Sequence, residues 1–357
     1  MNTVTDELAK LISFPTITGD RGAADELIDY VREQMEPLLQ IESGEFNNYP
    51  YIIGYTKSPR TPKLLLVAHL DVVPASEDQF TMRKEGDRLT GRGTFDMKFG
   101  AACYLELLRD MGEDIKDLDV AILFVFDEEN GGFDGMGPLV HAGLKPTVGF
   151  LPDGGDNFDL EKIGKGVWQA KLTKVGEPAH GSRPWEGDSP VSGLLQCLLE
   201  IEAAFDGQKR ETDTCAITTL GGGDSSNRTP KEVYATLDLR FISRDTLKES
   251  LEKIESICQV YDVAIEVTED TNSFETGVNS QYVQLYQDIF KQKTGREMKH
   301  QIVCGSADTR YLSDVGVPVV MTRPAGGNAH GDNEWVSERG LLDFYDILKE
   351  FVVQCMQ

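Results

Sequence analysis

The sequence predicts an α/β protein in which a second folding unit is inserted into the first. Helical and strand-like patterns alternate up to residue 164, and the same alternation returns after 276. Between these regions, residues 165–275 have the element order βαββαβ. The chain of 357 residues also exceeds the length of one typical core. We therefore predict a discontinuous domain over 1–164 and 276–357, with an inserted domain over 165–275.

The first domain begins with an amphipathic helix and continues with apolar strands. Apolar residues recur at helical spacing at Ala24, Leu27, Ile28, Val31, Met35 and Leu38. The runs 63–71 and 120–129 are apolar until their last residues, which predicts buried strands of a sheet covered on both faces. We expect an α/β/α domain with a mixed sheet, which would bind ligands at the carboxyl ends of its strands.

The inserted segment has a different pattern. We predict strands over 167–175, 215–220, 233–241 and 264–269, and helices over 191–205 and 246–261. The order βαββαβ is typical of the ferredoxin-like arrangement. Apolar and polar residues alternate strictly over 233–241, so the apolar face of that strand should pack on the two helices.

Charge and composition argue against several function classes. The 35 basic residues face 60 acidic ones, and the net charge of -25 disfavours nucleic acid and anionic membranes as partners. No apolar run is long enough to span a bilayer, and the polar, acidic start does not resemble a signal peptide. Six cysteines without a CxxC pair predict reduced, buried thiols and a cytoplasmic protein.

Side chains that bind metals follow the apolar runs in five scattered segments. These side chains are His69, Asp96, the pair Glu128 and Glu129, Asp153, and His330. Two imidazoles with several carboxylates suit zinc or a similar divalent ion. Taken singly, each residue has an ordinary alternative, such as a core histidine beside a solvated aspartate or, at Asp96, a helix cap.

Two local details bear on how these groups could converge. Asp71 lies two residues after His69 on the same strand face, so it can hold the far nitrogen of that imidazole. Consecutive strand residues point to opposite faces, so Glu128 and Glu129 can converge only if the strand has ended by 128.

The five segments resemble the co-catalytic zinc amidohydrolases and exopeptidases. That family includes succinyl-diaminopimelate desuccinylase, acetylornithine deacetylase, aminoacylase, glutamate carboxypeptidase and several dipeptidases. The matching motifs are His-Leu-Asp-Val-Val-Pro at 69–74, Gly-Arg-Gly-Thr-Phe-Asp-Met-Lys at 91–98, Asp-Glu-Glu at 127–129, Pro-Asp at 152–153 and His-Gly-Asp-Asn-Glu at 330–334. They occur in the family's order and span nearly the whole chain.

The resemblance implies two divalent metal ions, with zinc favoured over cobalt or manganese. It makes Asp96 the ligand shared by both ions. Glu129 and His330 would complete one site, and His69 and Asp153 would complete the other.

The resemblance also implies catalytic roles. Glu128 would be the general base toward a metal-bridged water, with Asp71 supporting His69. His180, in the glycine- and proline-rich loop 178–187, would stabilise the oxyanion from the opposite subunit of a homodimer formed through the inserted lid domain. Without the resemblance, His180 would be interpreted as a surface-loop histidine.

Substrate recognition is less determined by the sequence. Asn227 and Arg240 match positions that bind a substrate carboxylate in the family. Arg310 is a third candidate, because a guanidinium group binds carboxylates bidentately. Each could instead face water or pair structurally. Phe99 and Arg228 depart from the family pattern, and the Phe99 ring could reshape the pocket beside Asp96.

These observations predict a hydrolase that cleaves the amide bond of an N-acyl amino acid, such as a desuccinylase or deacetylase. The small-molecule substrate would carry a free carboxylate. A dipeptidase or carboxypeptidase on the same site is the alternative within the enzymes, and a catalytically silent binding protein is the alternative outside them. A Ser/His/Asp mechanism finds little support, because no G-x-S-x-G elbow occurs.

Overall fold

The computed structural model describes residues 3–305 and 307–357. The helices span Val4–Ile12 (α1), Arg21–Met35 (α2), Lys98–Met111 (α3), Met136–His141 (α4), Pro190–Ala204 (α5), Arg244–Val260 (α6), Gln281–Thr294 (α7), Thr309–Asp314 (α8) and Glu338–Cys355 (α9). The strands span Gln40–Phe46 (β1), Tyr49–Tyr55 (β2), Leu64–His69 (β3), Arg83–Glu85 (β4), Arg88–Thr90 (β5), Val120–Val125 (β6), Val148–Phe150 (β7), Leu160–Gly164 (β8), Gly166–Val175 (β9), Thr214–Gly222 (β10), Glu232–Phe241 (β11), Ala264–Thr271 (β12), Phe274–Glu275 (β13), His300–Val303 (β14), Val319–Val320 (β15), Gly326–Gly327 (β16) and Trp335–Ser337 (β17).

The chain divides into two compact units. The first unit runs to Lys162 and continues over Glu275–Gln301 and Ala307–Gln357. The second unit comprises Ile163–Phe274 and a short return that begins at Ile302. The role of the second unit as a lid and dimerisation domain stays a prediction.

A mixed β-sheet forms the centre of the first unit. Its strand order is β1-β2-β6-β3-β7-β15. Strand β3 runs parallel to β6 and β7, and β15 runs parallel to β7, whereas β1 and β2 pair antiparallel. Every residue of β3 and β6 is buried, and α2, α3 and α7 pack against strands of this sheet. The predicted α/β class with a mixed sheet is confirmed.

In the first predicted helix, α2, the local sequence determines both the start of the helix and its buried face. The Asp20 carboxylate accepts a hydrogen bond from the backbone N–H of Ala23 at 3.1 Å and so caps α2. The residues that α2 buries are those at the predicted helical spacing, namely Ala24, Leu27, Ile28, Val31 and Met35. Leu38 lies beyond the helix and packs, partly buried, against the same core.

The second unit is built on a sheet of order β10-β11-β9-β12, with all adjacent strands antiparallel. The element order β9-α5-β10-β11-α6-β12 matches the predicted βαββαβ series. Along β11 every second residue is buried, and these apolar side chains share one core with residues of α5 and α6. The strict alternation over 233–241 thus marks the face that packs on the helices.

The cysteines are all free, and every one except Cys304 is buried. The prediction of buried thiols is therefore wrong at Cys304, which lies in an exposed turn after β14.

Within the described ranges, we find no helix with the length and apolar composition needed to cross a membrane.

An aromatic cluster joins α7 and α9 to β7. The Phe150 ring centroid lies 5.4 Å from that of Tyr286, 5.9 Å from that of Phe344 and 5.7 Å from that of Phe351. Phe150 is completely buried. Removal of this ring would leave a cavity that the surrounding helices cannot fill.

We expect Phe150→Ala to lower the free energy of unfolding by about 3–5 kcal/mol, because the cavity adds to the lost transfer energy. Denaturant unfolding followed by circular dichroism measures this change. The control is Leu342→Ala in α9, where the side chain is 43% exposed and the loss should stay below about 1 kcal/mol. Equal losses for the two variants would contradict the cavity argument.

Candidate metal centre

The sheet of the first unit brings the ends of three parallel strands together. In the register of β3 and β6, His69 lies opposite Val125, and β7 pairs with β3 on its other side. The segments that follow these strands carry Glu128, Glu129 and Asp153. Because parallel strands end at the same edge, acids from separate parts of the chain meet the imidazole at the end of β3.

Two groups of side chains at this edge have the composition of metal sites. His69, Asp96 and Asp153 form one group, and Asp96, Glu129 and His330 form the other. The ligand atoms of each group all lie within 4.8 Å of one another. Asp96 belongs to both groups, so five residues offer donors for two ions.

The two carboxylate oxygens of Asp96 face different histidines. Oδ1 lies 3.2 Å from Nε2 of His69, and Oδ2 lies 3.3 Å from Nε2 of His330. Nε2 of His69 is also 4.0 Å from Asp153 Oδ1, and Nε2 of His330 is 3.0 Å from Glu129 Oε2. A carboxylate placed in this way can bridge two cations.

Crowding of negative charge supports a cation site. Burial, followed by the charge of Asp96, raises the pKa of Asp153 well above its usual value. Burial and the charge of Asp153 do the same to the pKa of Glu128. Burial alone would lower the pKa of His69, but its contacts with Asp71 and Asp96 raise it well above the usual value. A bound divalent cation would favour the charged carboxylates and the neutral imidazoles, so these residues fit a metal pair.

His69 is oriented by Asp71, although chiefly through the backbone. Nδ1 of His69 lies 3.0 Å from the carbonyl oxygen of Asp71 and 3.4 Å from its carboxylate. In the tautomer that carries its hydrogen on Nδ1, the Nδ1–H group donates to this carbonyl. Nε2 then keeps its lone pair, which faces Asp96 and Asp153. Asp71 was expected to hold the Nδ1 nitrogen, and in the structure its backbone carbonyl makes the shorter of the two contacts.

The Asp71 carboxylate also holds the acidic turn that follows β6. Its two oxygens accept hydrogen bonds from the backbone N–H groups of Glu128 at 3.3 Å and Glu129 at 3.2 Å. The Thr18 hydroxyl donates a further bond to it at 3.0 Å. Residues 128–130 form a 3₁₀ turn, so the strand has ended before Glu128. The geometric condition for the two glutamates to converge is therefore met.

Glu334 organises the loop that supplies Asp96. Its buried carboxylate accepts hydrogen bonds from the backbone N–H groups of Gly93 at 3.0 Å, Phe95 at 2.7 Å and Asp96 at 2.9 Å. Arg92 forms a buried ion pair with Glu334 at 2.8 Å. This role of Glu334 was not predicted from the sequence, although the residue closes the motif at 330–334.

Arg92 extends this network to the second histidine. While one of its terminal nitrogens pairs with Glu334, the other donates to the carbonyl oxygen of His330 at 3.2 Å. The ion pair thus fixes the Asp96 loop and the His330 loop to each other.

The residues predicted to recognise substrate have identifiable partners. Arg310 is buried, donates to the Gly131 carbonyl and lies 4.6 Å from the centroid of the Tyr311 ring. In the second unit, Arg240 donates to both carboxylate oxygens of Asp238, at 2.6 and 2.9 Å. Their roles in binding a substrate carboxylate stay predictions.

His180 and Asn227 lie on neighbouring segments of the second unit. Nδ1 of the exposed His180 accepts a hydrogen bond from the backbone N–H of Ser182 at 3.2 Å. The Gly181 N–H donates to the Asn227 carbonyl at 2.6 Å, and residues 180 and 228 form an isolated β-bridge.

The two departures from the family pattern have structural contacts. Phe99 is completely buried in α3 and packs edge to face on Phe344, with centroids 5.5 Å apart. Arg228 pairs with Asp224 at 2.5 Å and is half exposed. The Phe99 ring therefore contributes to the core of the first unit.

Fold and site together define a metallohydrolase with candidate metal ligands beside the strand ends of an α/β sheet. The chain belongs to Peptidase family M20/M25/M40, whose profile matches residues 65–354. It is thus a metal-dependent hydrolase of amide or peptide bonds, as the sequence motifs predicted.

Individual relatives cover almost the whole chain. Succinyl-diaminopimelate desuccinylase from a Nitratiruptor species is 24% identical over 369 residues, which cover 98% of this chain and 99% of that protein. A tripeptidase from Staphylococcus aureus has a similar structure, with a TM-score of 0.83 at 20% identity and coverage of 99% and 98%. A metallo-carboxypeptidase of the same family from Sulfolobus solfataricus gives a TM-score of 0.77 at 18% identity, with 99% of each chain covered.

We expect Glu334→Gln to weaken metal binding by about 10- to 100-fold, because an amide group cannot accept every backbone N–H that positions the Asp96 loop. Competition with a chromophoric chelator measures this affinity, and circular dichroism monitors the fold. The control is Glu338→Gln, which removes the ion pair to Lys84 at the start of α9. Unchanged affinity in a folded Glu334→Gln protein would refute the positioning role.

Proposed function

We propose that this protein hydrolyses the amide bond of an N-acyl amino acid with a free carboxylate. The observation that carries this proposal is the Asp96 carboxylate shared between two groups of metal donors, with Glu128 beside them. The full-length similarity to a desuccinylase supports a deacylase. The tripeptidase and carboxypeptidase structures support peptide cleavage as the second candidate.

The proposed cofactor is a pair of divalent ions, zinc rather than cobalt or manganese. His69 and Asp153 would hold one ion, Glu129 and His330 the other, and Asp96 both. Imidazole and carboxylate donors without thiolates suit these metals. When bound, the ions polarise the amide carbonyl and make water acidic enough to be activated at neutral pH.

Glu128 is the proposed general base. It starts the 3₁₀ turn fixed by Asp71, and no described residue hydrogen-bonds to its carboxylate in this structure. Glu128 takes a proton from the attacking water and returns it to the leaving amine nitrogen. His180 is proposed to donate a hydrogen bond to the developing oxyanion, and Asn227, Arg240 and Arg310 to bind the substrate carboxylate.

We further infer a homodimer formed through the second unit. Helix α5 exposes Leu195 and Leu199, and β10, at the edge of its sheet, exposes Ile217 and Leu220. Exposed apolar side chains on a helix and an adjacent edge strand suit pairing with a second copy. The free cysteines support a cytoplasmic location for this dimer.

We expect metal-loaded protein to release amines from N-acetyl and N-succinyl amino acids faster than from dipeptides. Purified protein is stripped with a chelator, reloaded with zinc, cobalt or manganese, and assayed against both panels, while elemental analysis counts the bound ions. Turnover of dipeptides alone would replace the deacylase proposal by a dipeptidase. Failure to hydrolyse either panel would favour a binding protein.

We expect Glu128→Gln to lower kcat by about 10²- to 10⁴-fold, because the amide cannot accept the proton. Bound metal, measured by elemental analysis, should stay at the level of the unaltered protein. Glu113→Gln, at an exposed position paired with Lys116, is the matched control. Unchanged kcat in Glu128→Gln would remove this residue from the mechanism.

We expect His180→Ala to lower turnover with little loss of metal. If His180 acts across the dimer, mixed dimers with Glu128→Gln chains should regain activity at one of their two sites, because one site then has both groups. Activity of dimers purified with two different affinity tags tests this rescue. Inactive mixed dimers would place any action of His180 within its own chain.

A further inference from the structure

Arg323, which follows β15, lies between the loops of two proposed metal ligands. Its Nε donates to the Asp156 carboxylate at 2.7 Å, and its guanidinium carbon lies 3.9 Å from the centroid of the Phe95 ring. Phe95 directly precedes Asp96, and Asp156 lies three residues after Asp153. The cation is therefore held against both loops from which these ligands extend.

The backbone of Arg323 is fixed as well. Its N–H donates to the Gly155 carbonyl at 3.1 Å, and its carbonyl accepts the N–H of Phe158 at 2.9 Å. Burial would lower the pKa of Arg323, but the charges of Asp96, Asp156 and Asp153 raise it above the usual value. The guanidinium thus lies within electrostatic range of two ligand carboxylates.

The remaining donors of this guanidinium are available. Neither terminal nitrogen of Arg323 forms a hydrogen bond with a described residue. The side chain is 14% exposed, so these nitrogens remain accessible to solvent. A guanidinium offers five N–H donors, and only the one on Nε is used here. Arg92, by contrast, uses its two terminal nitrogens within the protein.

Carboxylates surround Arg323, but they leave one edge of its guanidinium without a direct partner. The charges of Asp96, Asp153 and Glu161 act on it from a distance, and among the described residues only Asp156 forms an ion pair with it. The ion pair with Asp156 uses one edge of the guanidinium and involves a mostly exposed carboxylate.

We propose that Arg323 binds a carboxylate of the substrate through the edge formed by its two terminal nitrogens. Such an edge holds a carboxylate with two parallel hydrogen bonds. The inference rests on the proposed amide hydrolysis at the adjacent metal centre. It makes Arg323 a specificity-determining residue supplied by the same unit as the metal ligands.

The test compares substrates that differ in one carboxylate. Metal-loaded protein is assayed with an N-acetyl amino acid, its carboxamide, an N-succinyl amino acid and an N-succinyl amino acid amide. Arg323→Gln should lower kcat/KM by about 10- to 100-fold, mainly through KM, where the recognised carboxylate is present, since hydrogen bonds between charged groups are strong. Substrates that lack that carboxylate should change less than about 3-fold.

The same panel identifies which carboxylate is bound. A loss that depends on the carboxylate of the amino acid places that group on Arg323. A loss that depends on the succinyl carboxylate places the acyl group there. Arg323→Lys, which keeps the charge but not the planar edge, should be intermediate and serves if the glutamine variant does not fold.

Two further variants separate recognition from structural support. Asp156→Asn removes the ion pair that anchors Arg323 but keeps the terminal donors, so any loss of kcat/KM should be smaller than that of Arg323→Gln and limited to substrates with the recognised carboxylate. Arg296→Gln removes an arginine that lies 5.6 Å from the Phe290 ring and donates to Asn157, and it should show no dependence on substrate charge. Equal losses for charged and uncharged substrates in Arg323→Gln, or a loss in Asp156→Asn that exceeds the loss in Arg323→Gln, would overturn the proposal.

A binding measurement separates this inference from the proposed function. The N-acetyl and N-succinyl amino acids are titrated calorimetrically into two metal-loaded proteins, the Glu128→Gln variant and a double variant that also carries Arg323→Gln. At equal metal content, the double variant should bind these compounds more weakly. Equal affinity with and without Arg323 would refute its role. If the protein binds these compounds through Arg323 but hydrolyses none, only the proposed reaction fails.

Discussion

The structure of the first unit depends on holding several mostly buried carboxylates close together. Asp96 and Asp153 lie beside His69, and Glu128 lies within range of their charges. Burying like charges in this way costs several kcal/mol unless cations or hydrogen bonds compensate. A pair of divalent ions would supply that compensation, which accounts for the two histidines, His69 and His330, that lie beside these carboxylates.

Two further carboxylates make this arrangement rigid by accepting backbone hydrogen bonds. The Asp71 carboxylate accepts hydrogen bonds from the backbone N–H groups of Glu128 and Glu129. The Glu334 carboxylate accepts them from the backbone N–H groups of Phe95 and Asp96. Each carboxylate is buried, yet each has the donors that a buried charge requires. The residues that would contact metal therefore extend from loops whose backbone is already fixed.

The arginines of the chain differ in how fully their donors are used. Arg92 joins two ligand loops, and Arg240 is paired with Asp238 in the second unit. Arg323 is anchored by Phe95 and Asp156 but keeps its terminal nitrogens available. An anchored guanidinium loses little further entropy when it binds a carboxylate, so it is well suited to recognition.

Local sequence was sufficient to predict the main elements, and its motifs contain the candidate metal-binding residues that the structure brings together. Helix α2 and strands β3, β6 and β11 follow from apolar periodicity, which is a local property of the chain. The motifs likewise identified the acids and histidines at the strand ends. The folded chain was needed to show that Phe99 packs in the core, that Glu334 holds the Asp96 loop and that Arg323 lies beside the ligands. These contacts join residues that are distant in sequence, such as Asp96 and Glu334 at a separation of 238, and no local pattern specifies which loop a side chain will meet.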